Sequence, residues 1–317
     1  MQCLNTVQIK GNEYNCGHCI NCRINRTSEW SLRLLYELSC HFEDGASFLT
    51  LTYNDENLPA DKGVHVDELQ RFWKRLRKNL QTKYHEFAPA LTYYSIGEYG
   101  SKEKIYKSPG ATKCHGRPHY HAIVFGLNNW NDEHREILKK SWTLCEPWFF
   151  DKERGRKSGM QEVTPDDIQY VAGYVQKKLY GSEAQKEVYG EATPPFSTCS
   201  AGIGLEFAMK NKQRLLNNGF TYFKGHKIGV PRYFCEKFGI KKGEIVNREL
   251  SVEIVEKENK YIFEKFEKDM KAAGTWYPDN KLMLERRFLI WFTRKQYQLA
   301  DDIAREYEQK ARMRGKL

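Results

Sequence analysis

The sequence predicts an α+β fold, in which an antiparallel sheet is flanked by helices and is followed by a mostly helical C-terminal region. Three segments, at 48–53, 91–99 and 116–126, are rich in β-branched and aromatic residues, as half-buried strands are. Amphipathic helical segments accompany them, notably at 66–84 and 164–179. This mixture of strands and helices suits a ferredoxin-like (split βαβ) sheet.

The composition favours a polyanionic partner. The 317-residue chain has a formal net charge of +10, and 14% of its residues are aromatic. Basic residues attract phosphates and aromatic rings stack on unpaired bases, so single-stranded nucleic acid suits both properties. No apolar run approaches the ~18 residues of a membrane-spanning helix, and no signal peptide is visible. We therefore expect a cytoplasmic protein without a membrane partner.

A cysteine-rich segment opens the chain. Cys16, Cys19 and Cys22 have C-x2-C-x2-C spacing, and Cys3 precedes them. Thiols at this spacing bind tetrahedral zinc or an iron–sulfur cluster. A structural zinc ion would take Cys3 or His18 as its fourth ligand. Because only one knuckle is complete, a redox role or simple burial of the thiols is the alternative.

The first half of the chain predicts helices with one apolar side. A helix from Thr27 to about His41 has an apolar stripe, and Thr27 or Ser28 can cap its start. The helix at 66–84 carries a dense basic coat. That coat is either a surface that follows DNA phosphates or an ordinary solvent-facing side.

The strand at 116–126 places two histidines on one face. Since alternate strand residues point the same way, His119 and His121 share a side and Tyr120 faces the other. Two such imidazoles can bind one metal ion, although structural histidines on a half-buried strand are the alternative. A polar, Gly- and Pro-containing loop precedes this strand, so a hairpin would bring Glu98 towards the histidines.

Further elements are predicted downstream. A short helix is expected at 131–142, a loop or hairpin at 149–159 and an edge strand at 160–163. Thr164-Pro165-Asp166-Asp167 is a helix-start signature, because Thr caps, Pro fits the first position and the aspartates suit the positive end of the helix. On that helix Tyr170, Tyr174 and Lys178 are i,i+4 neighbours that lie off the apolar stripe.

The last third predicts a helix at 205–217, a β-hairpin around Gly225 and charged helical sequence from about Glu244. Apolar residues at 288–292 are expected to be buried.

Three motifs in this order resemble the HUH endonucleases. They are the T-L-T strand at 47–55, the H-U-H triplet at 119–121 (U is a bulky apolar residue) and Y-x-x-x-Y-x-x-K-K at 170–178. Within that superfamily the paired tyrosines are most similar to the rolling-circle replication initiators of microviruses, small bacteriophages with single-stranded DNA. The C-G-x-C-x-x-C-R run from Cys16 is similar as well. The resemblance extends to about Tyr180.

The resemblance implies a metal-dependent nickase with strand-rejoining activity. Its implied substrate is single-stranded DNA at a replication origin, and its implied partners are a helicase and a polymerase of the bacterial host, in the host cytoplasm. The implied catalytic residues are Tyr170, Tyr174 and Lys178. The implied ligands of a catalytic Mg²⁺ or Mn²⁺ are His119, His121 and Glu98, with His115 as the second choice for the third position. The corresponding division of the chain is a cysteine-rich segment at 1–26, an HUH endonuclease domain at 27–240 and a helical region at 241–317.

Other functions are compatible with parts of the sequence. One is a transposase or mobilisation nickase of the same superfamily. Another is a non-enzymatic, zinc-stabilised nucleic-acid-binding protein with structural histidines. A two-histidine, one-carboxylate iron oxygenase usually shows H-x-[DE] with a distant His, which residues 119–121 do not match.

Overall fold

The computed structural model describes residues 3–41, 45–100, 105–177, 182–223, 226–240 and 252–276, together with positions 278, 284, 287, 288, 290–292 and 295. The chain divides into two compact units. The first unit comprises Met1–Leu34 and His41–Ile203, and the second comprises Leu35–Cys40 and Gly204–Leu317.

The first unit contains the sheet and the segments that surround it. Its strands are β1 (Val7–Ile9), β2 (Asn12–Tyr14), β3 (Ala46–Leu51), β4 (Thr92–Tyr99), β5 (Pro118–Phe125), β6 (Met160–Glu162) and β7 (Phe196–Cys199). Its helices are α1 (Ile20–Cys40, which continues into the second unit), α2 (Val66–Tyr84), α3 (Asp132–Ser141), α4 (Pro165–Lys177) and α5 (Ser182–Tyr189). Short 3₁₀ helices occur at His85–Phe87, Pro147–Phe150 and Lys152–Lys157.

Five of these strands form one antiparallel sheet in the order β6-β3-β5-β4-β7. The α+β prediction is therefore confirmed at the level of a five-stranded antiparallel sheet flanked by helices. The predicted edge strand at 160–163 and the short helix predicted at 131–142 are also found, as β6 and α3.

One face of the sheet forms the main hydrophobic core. Strand residues such as Leu49 and Val124 are fully buried there with the apolar side of α2. The strand alternation places Tyr120 on this face too. Its hydroxyl meets the Tyr53 hydroxyl at 2.7 Å and the Glu68 carboxylate at 3.1 Å, which ties the first turn of α2 to the sheet. The core side chains of α2 are Leu69, Phe72, Trp73, Leu76 and Leu80.

The opposite face of the sheet carries His119 and His121 and contacts α4. Thr164 caps α4 as predicted, because its hydroxyl accepts from the Asp167 N–H and its own N–H donates to the Asp167 carboxylate. Ile168, Val171 and Ala172 are fully buried. The anchored apolar side fixes the rotation of α4, and with it the positions of its tyrosines.

Three element predictions were wrong in detail. The helix predicted from Thr27 begins at Ile20, because the turn after Cys19 already has helical hydrogen bonding; Thr27 bonds the Arg23 carbonyl instead of capping. The helix predicted at 205–217 is two helices that meet at Asn211, where ψ leaves the helical range. The segment 149–159 forms 3₁₀ turns in place of an open loop or hairpin.

The second unit is mostly helical, and its hairpin was predicted. Its elements are α6 (Leu205–Lys210), α7 (Lys212–Asn218), β8 (Phe220–Phe223), β9 (His226–Gly229), α8 (Arg232–Phe238) and α9 (Val252–Ala272). Ile290, Trp291 and Phe292 are buried as expected, the latter two in a cluster with Phe266 of α9. No helix among the residues described above is long and apolar enough to cross a membrane.

Candidate metal centre and tyrosine pair

Strand register brings a carboxylate to the two histidines. In the β4–β5 pair Glu98 lies directly opposite His119, and Ile96 lies opposite His121. Glu98 therefore points to the same face as both imidazoles. Its Oε1 lies 3.3 Å from His119 Nε2 and 3.2 Å from His121 Nε2. The ligand atoms of the three residues lie within 4.8 Å of one another, so this group could hold a metal ion.

Neighbouring groups orient both imidazole rings. His119 Nδ1 lies 3.0 Å from the Arg117 carbonyl oxygen, which can only accept, so Nδ1 carries the proton and Nε2 keeps its lone pair. His121 Nδ1 lies 3.1 Å from the Thr50 hydroxyl, and its ring stacks on Phe48. Outer contacts of this kind are what holds metal-binding histidines in place. Thr50 lies in the T-L-T strand, but its contact with His121 was not foreseen, because it depends on strand pairing.

The electrostatics of the group are set by burial and by close polar contacts. Burial would raise the pKa of Glu98, but hydrogen bonding to His119 and His121 outweighs it and holds that pKa well below its usual range. Burial lowers the pKa of His121. A deprotonated carboxylate beside an imidazole that favours its neutral form is a suitable ligand set for a cation.

Helix α4 brings a tyrosine hydroxyl to the same carboxylate. The Tyr170 hydroxyl donates to Glu98 Oε1 at 2.5 Å, and its ring packs edge-on against His121. Tyr174 lies one helical turn further along. Tyr170 is 40% exposed and Tyr174 is 9% exposed. Burial first, and the Glu98 carboxylate second, raise the pKa of both phenols above the usual value.

Two other predicted site residues have different outcomes. Both ring nitrogens of His115 make close contacts elsewhere, with Ser108 Oγ at 2.7 Å and with the Gly116 carbonyl at 2.8 Å. The structure does not bring His115 into the histidine–carboxylate group. Lys178 lies outside the described residues.

A second group that could hold a metal lies near the N-terminus. The thiols of Cys3, Cys16, Cys19 and Cys22 lie within 4.8 Å of one another, with Cys3 Sγ 3.6 Å from Cys16 Sγ and 3.8 Å from Cys19 Sγ. The hairpin β1–β2 returns the chain so that Cys3 meets the C-x2-C-x2-C run. His18 is not a member of this four-atom group.

Backbone N–H groups point at several of these thiols. Cys16 Sγ accepts from the N–H groups of His18 and Cys19, and those bonds lower the pKa of Cys16. The Leu4 N–H, followed by that of Cys22, lowers the pKa of Cys19 to about 6. Burial raises the pKa of Cys22 to about 12. The knuckle thus combines thiolate-stabilising turns with one buried thiol.

Comparison with known proteins identifies the family. The model of the replication-associated protein ORF2 family matches residues 46–179, which include the histidine–carboxylate group and both tyrosines. The chain belongs to this family of microvirus replication proteins, which confirms the resemblance that the motifs indicated.

Three phage proteins are similar over most of this chain. It is 28% identical to the replication-associated proteins ORF4 of Chlamydia phage 1, ORF2 of Spiroplasma virus 4 and VP4 of Bdellovibrio phage phiMH2K, over 229, 245 and 226 residues. These matches cover 69%, 73% and 70% of this chain and 52%, 69% and 66% of the relatives. The chain thus matches about half the length of the Chlamydia phage protein. No solved structure matches the chain.

Proposed function

We propose that this chain is a replication initiator that nicks single-stranded DNA at a phage origin and rejoins it during rolling-circle replication. The observation that carries the proposal is the Tyr170 hydroxyl, 2.5 Å from the Glu98 oxygen that also faces His119 and His121. A nucleophile and a candidate metal group meet at one point. The strand order β6-β3-β5-β4, with helices between β3 and β4 and between β5 and β6, supports a ferredoxin-like fold of the HUH type.

The residues at this point suit Mg²⁺ or Mn²⁺. Two imidazole nitrogens and one carboxylate oxygen leave room for oxygen atoms of phosphate and water. Their separations of 3.2 and 3.3 Å from the carboxylate oxygen are close to the ~3.0 Å between adjacent ligands of an octahedral ion with bonds of about 2.1 Å. When bound, the ion would polarise a phosphate oxygen and offset the negative charge of the transition state.

Tyr170 is the first nucleophile in this proposal, because it is the more exposed tyrosine and its hydroxyl already lies at the group. Its oxygen attacks a DNA phosphorus and the P–O3′ bond breaks. The phenol proton passes towards Glu98, and the departing 3′ oxygen takes a proton from water. The products are a 5′-phosphotyrosine and a free 3′ hydroxyl.

Tyr174 supplies a second nucleophile one turn away. While Tyr170 holds the first 5′ end, Tyr174 cuts the regenerated origin, and attack of a 3′ hydroxyl on a phosphotyrosine then reseals the strand. The covalent link conserves the phosphodiester energy, so rejoining needs no ATP. We assign Lys178 the role of adding positive charge beside the phosphate. A host helicase and polymerase in the bacterial cytoplasm are the proposed partners.

The four-cysteine group is proposed as a structural zinc site. Tetrahedral zinc with Zn–S bonds of about 2.3 Å places sulfur atoms ~3.8 Å apart. The separations of 3.6 and 3.8 Å around Cys3 fit that geometry. Four thiolates with no open position make a closed site, which stabilises the segment and leaves the chemistry to the first group.

The test uses labelled single-stranded fragments that tile the genome encoding this chain. They are incubated with the protein and Mn²⁺ or Mg²⁺ and separated by denaturing electrophoresis. Cleavage at one sequence, lost in EDTA and accompanied by a protease-sensitive, slowly migrating adduct, is the expected result. Cleavage that persists in EDTA, or that yields no covalent adduct, would contradict the proposal.

A further inference from the structure

A cleft lies at the ends of the strands that carry the candidate site. It encloses about 500 Å³, which is within the usual range for small-ligand sites. Thr52 and Tyr53 follow directly from β3, two and three residues after Thr50, which contacts His121. Arg117 precedes His119 by two residues, and its carbonyl oxygen accepts from His119 Nδ1. The complete lining is Thr52, Tyr53, Asn54, Asp55, Glu56, Arg117, Cys145, Glu146, Trp148 and Phe149.

The two walls of the cleft are fixed to each other. The Asn54 N–H donates to the Leu144 carbonyl at 2.7 Å, and the Asn54 side chain donates to Glu146 at 3.1 Å. At the base, Arg117 bonds the Tyr53 carbonyl at 3.0 Å and the Asp55 carboxylate at 2.6 Å. The opening is therefore formed in advance of any ligand.

The chemistry of the lining selects a base rather than a phosphate. Trp148 is 52% exposed, so its ring is available for stacking. Asp55, Glu56 and Glu146 contribute carboxylates, which repel phosphate and accept hydrogen bonds from exocyclic amino groups. The guanidinium of Arg117 is already paired with Asp55.

We propose that this cleft binds an unpaired base of the substrate strand next to the cleaved phosphate, and that it prefers a base with an amino donor. This inference rests on the proposed function, because it concerns the same DNA strand at the same site. Cytosine and thymine provide the sharpest comparison, since they are similar in size and differ at position 4 as donor and acceptor. Glu146 is the proposed reader of that position, and Trp148 is the stacking platform.

The test measures the anisotropy of fluorescein-labelled dC20 and dT20 in EDTA, where no hard metal ion contributes. The wild-type protein is expected to bind dC20 about fivefold to tenfold more tightly than dT20. In Glu146→Gln that ratio is expected to fall below about twofold. The ratio is the readout because removal of a carboxylate raises the affinity for any polyanion. Glu153→Gln, an equal charge change outside the cleft, controls for that effect and should retain the wild-type ratio.

A second variant tests stacking. Trp148→Ala is expected to weaken binding of both oligonucleotides about fivefold or more. Trp130→Ala is the matched control, because Trp130 is 58% exposed and also has a cation over its ring, Lys152 at 5.5 Å, but does not line the cleft. It should change binding less than twofold.

Two results would overturn the inference: equal affinity of the wild-type protein for dC20 and dT20, or equal losses in the two tryptophan variants. Nicking of the origin fragments is measured in parallel. If the wild type nicks while Trp148→Ala binds normally, the cleft proposal fails and the proposed function stands. If the oligonucleotides behave as expected and no fragment is nicked, the cleft binds bases and the nickase assignment fails.

Discussion

Replacement of Glu98 by Gln should weaken the binding of a hard divalent ion without unfolding the protein. Gln keeps the shape of the side chain and an oxygen that can accept from Tyr170, but it removes the only carboxylate in the histidine–carboxylate group. We expect a loss of roughly 10–100-fold in Mn²⁺ affinity, the range found when a metal site is impaired.

The size of the effect follows from linkage. An ion present at 100 times its Kd stabilises the wild-type fold by about 2.7 kcal/mol. If the variant binds tenfold or a hundredfold more weakly, the same ion concentration stabilises it by only about 1.4 or 0.4 kcal/mol. The lost stabilisation is therefore about 1.3–2.3 kcal/mol, which is measurable by urea unfolding with and without MnCl₂.

Manganese is chosen because the four-cysteine group prefers softer ions. His115→Gln is the matched variant, since His115 is buried and was the other candidate ligand. It should retain the Mn²⁺-dependent stabilisation. The reasoning would be refuted if Glu98→Gln kept the full stabilisation, and especially if His115→Gln lost it.

Three further outcomes are expected. His119→Ala and His121→Ala should each abolish metal-dependent nicking with little change in the far-ultraviolet circular dichroism; wild-type rates with Mg²⁺ or Mn²⁺ would exclude this site. Tyr170→Phe or Tyr174→Phe alone should retain some nicking but release few closed circles, whereas the double variant should form no covalent adduct; peptide mapping that finds the 5′-phosphate on another residue would overturn the assignment. Elemental analysis of protein purified without added metal should find about one zinc per chain, reduced in Cys19→Ser; protein with neither zinc nor iron would contradict the thiol site.

Local sequence determined the faces of the elements. Period-two alternation was enough to place His119 and His121 on one side and Tyr120 on the other, because a strand leaves no other option. The cap at Thr164 likewise determined where α4 begins, since its partner Asp167 is three residues away. Both features depend on residues that are close in the chain.

Tertiary structure decided which distant groups meet. The sequence left Glu98 and His115 as alternatives, and the β4–β5 register brought Glu98 to the histidines while His115 bonded Ser108. It also left Cys3 and His18 open, and the hairpin β1–β2 brought Cys3 to the other thiols. The different exposures of Tyr170 and Tyr174, equal by spacing, follow from the way α4 packs on the sheet. Spacing along a chain describes one element, whereas pairing and packing between elements depend on contacts that no single segment contains.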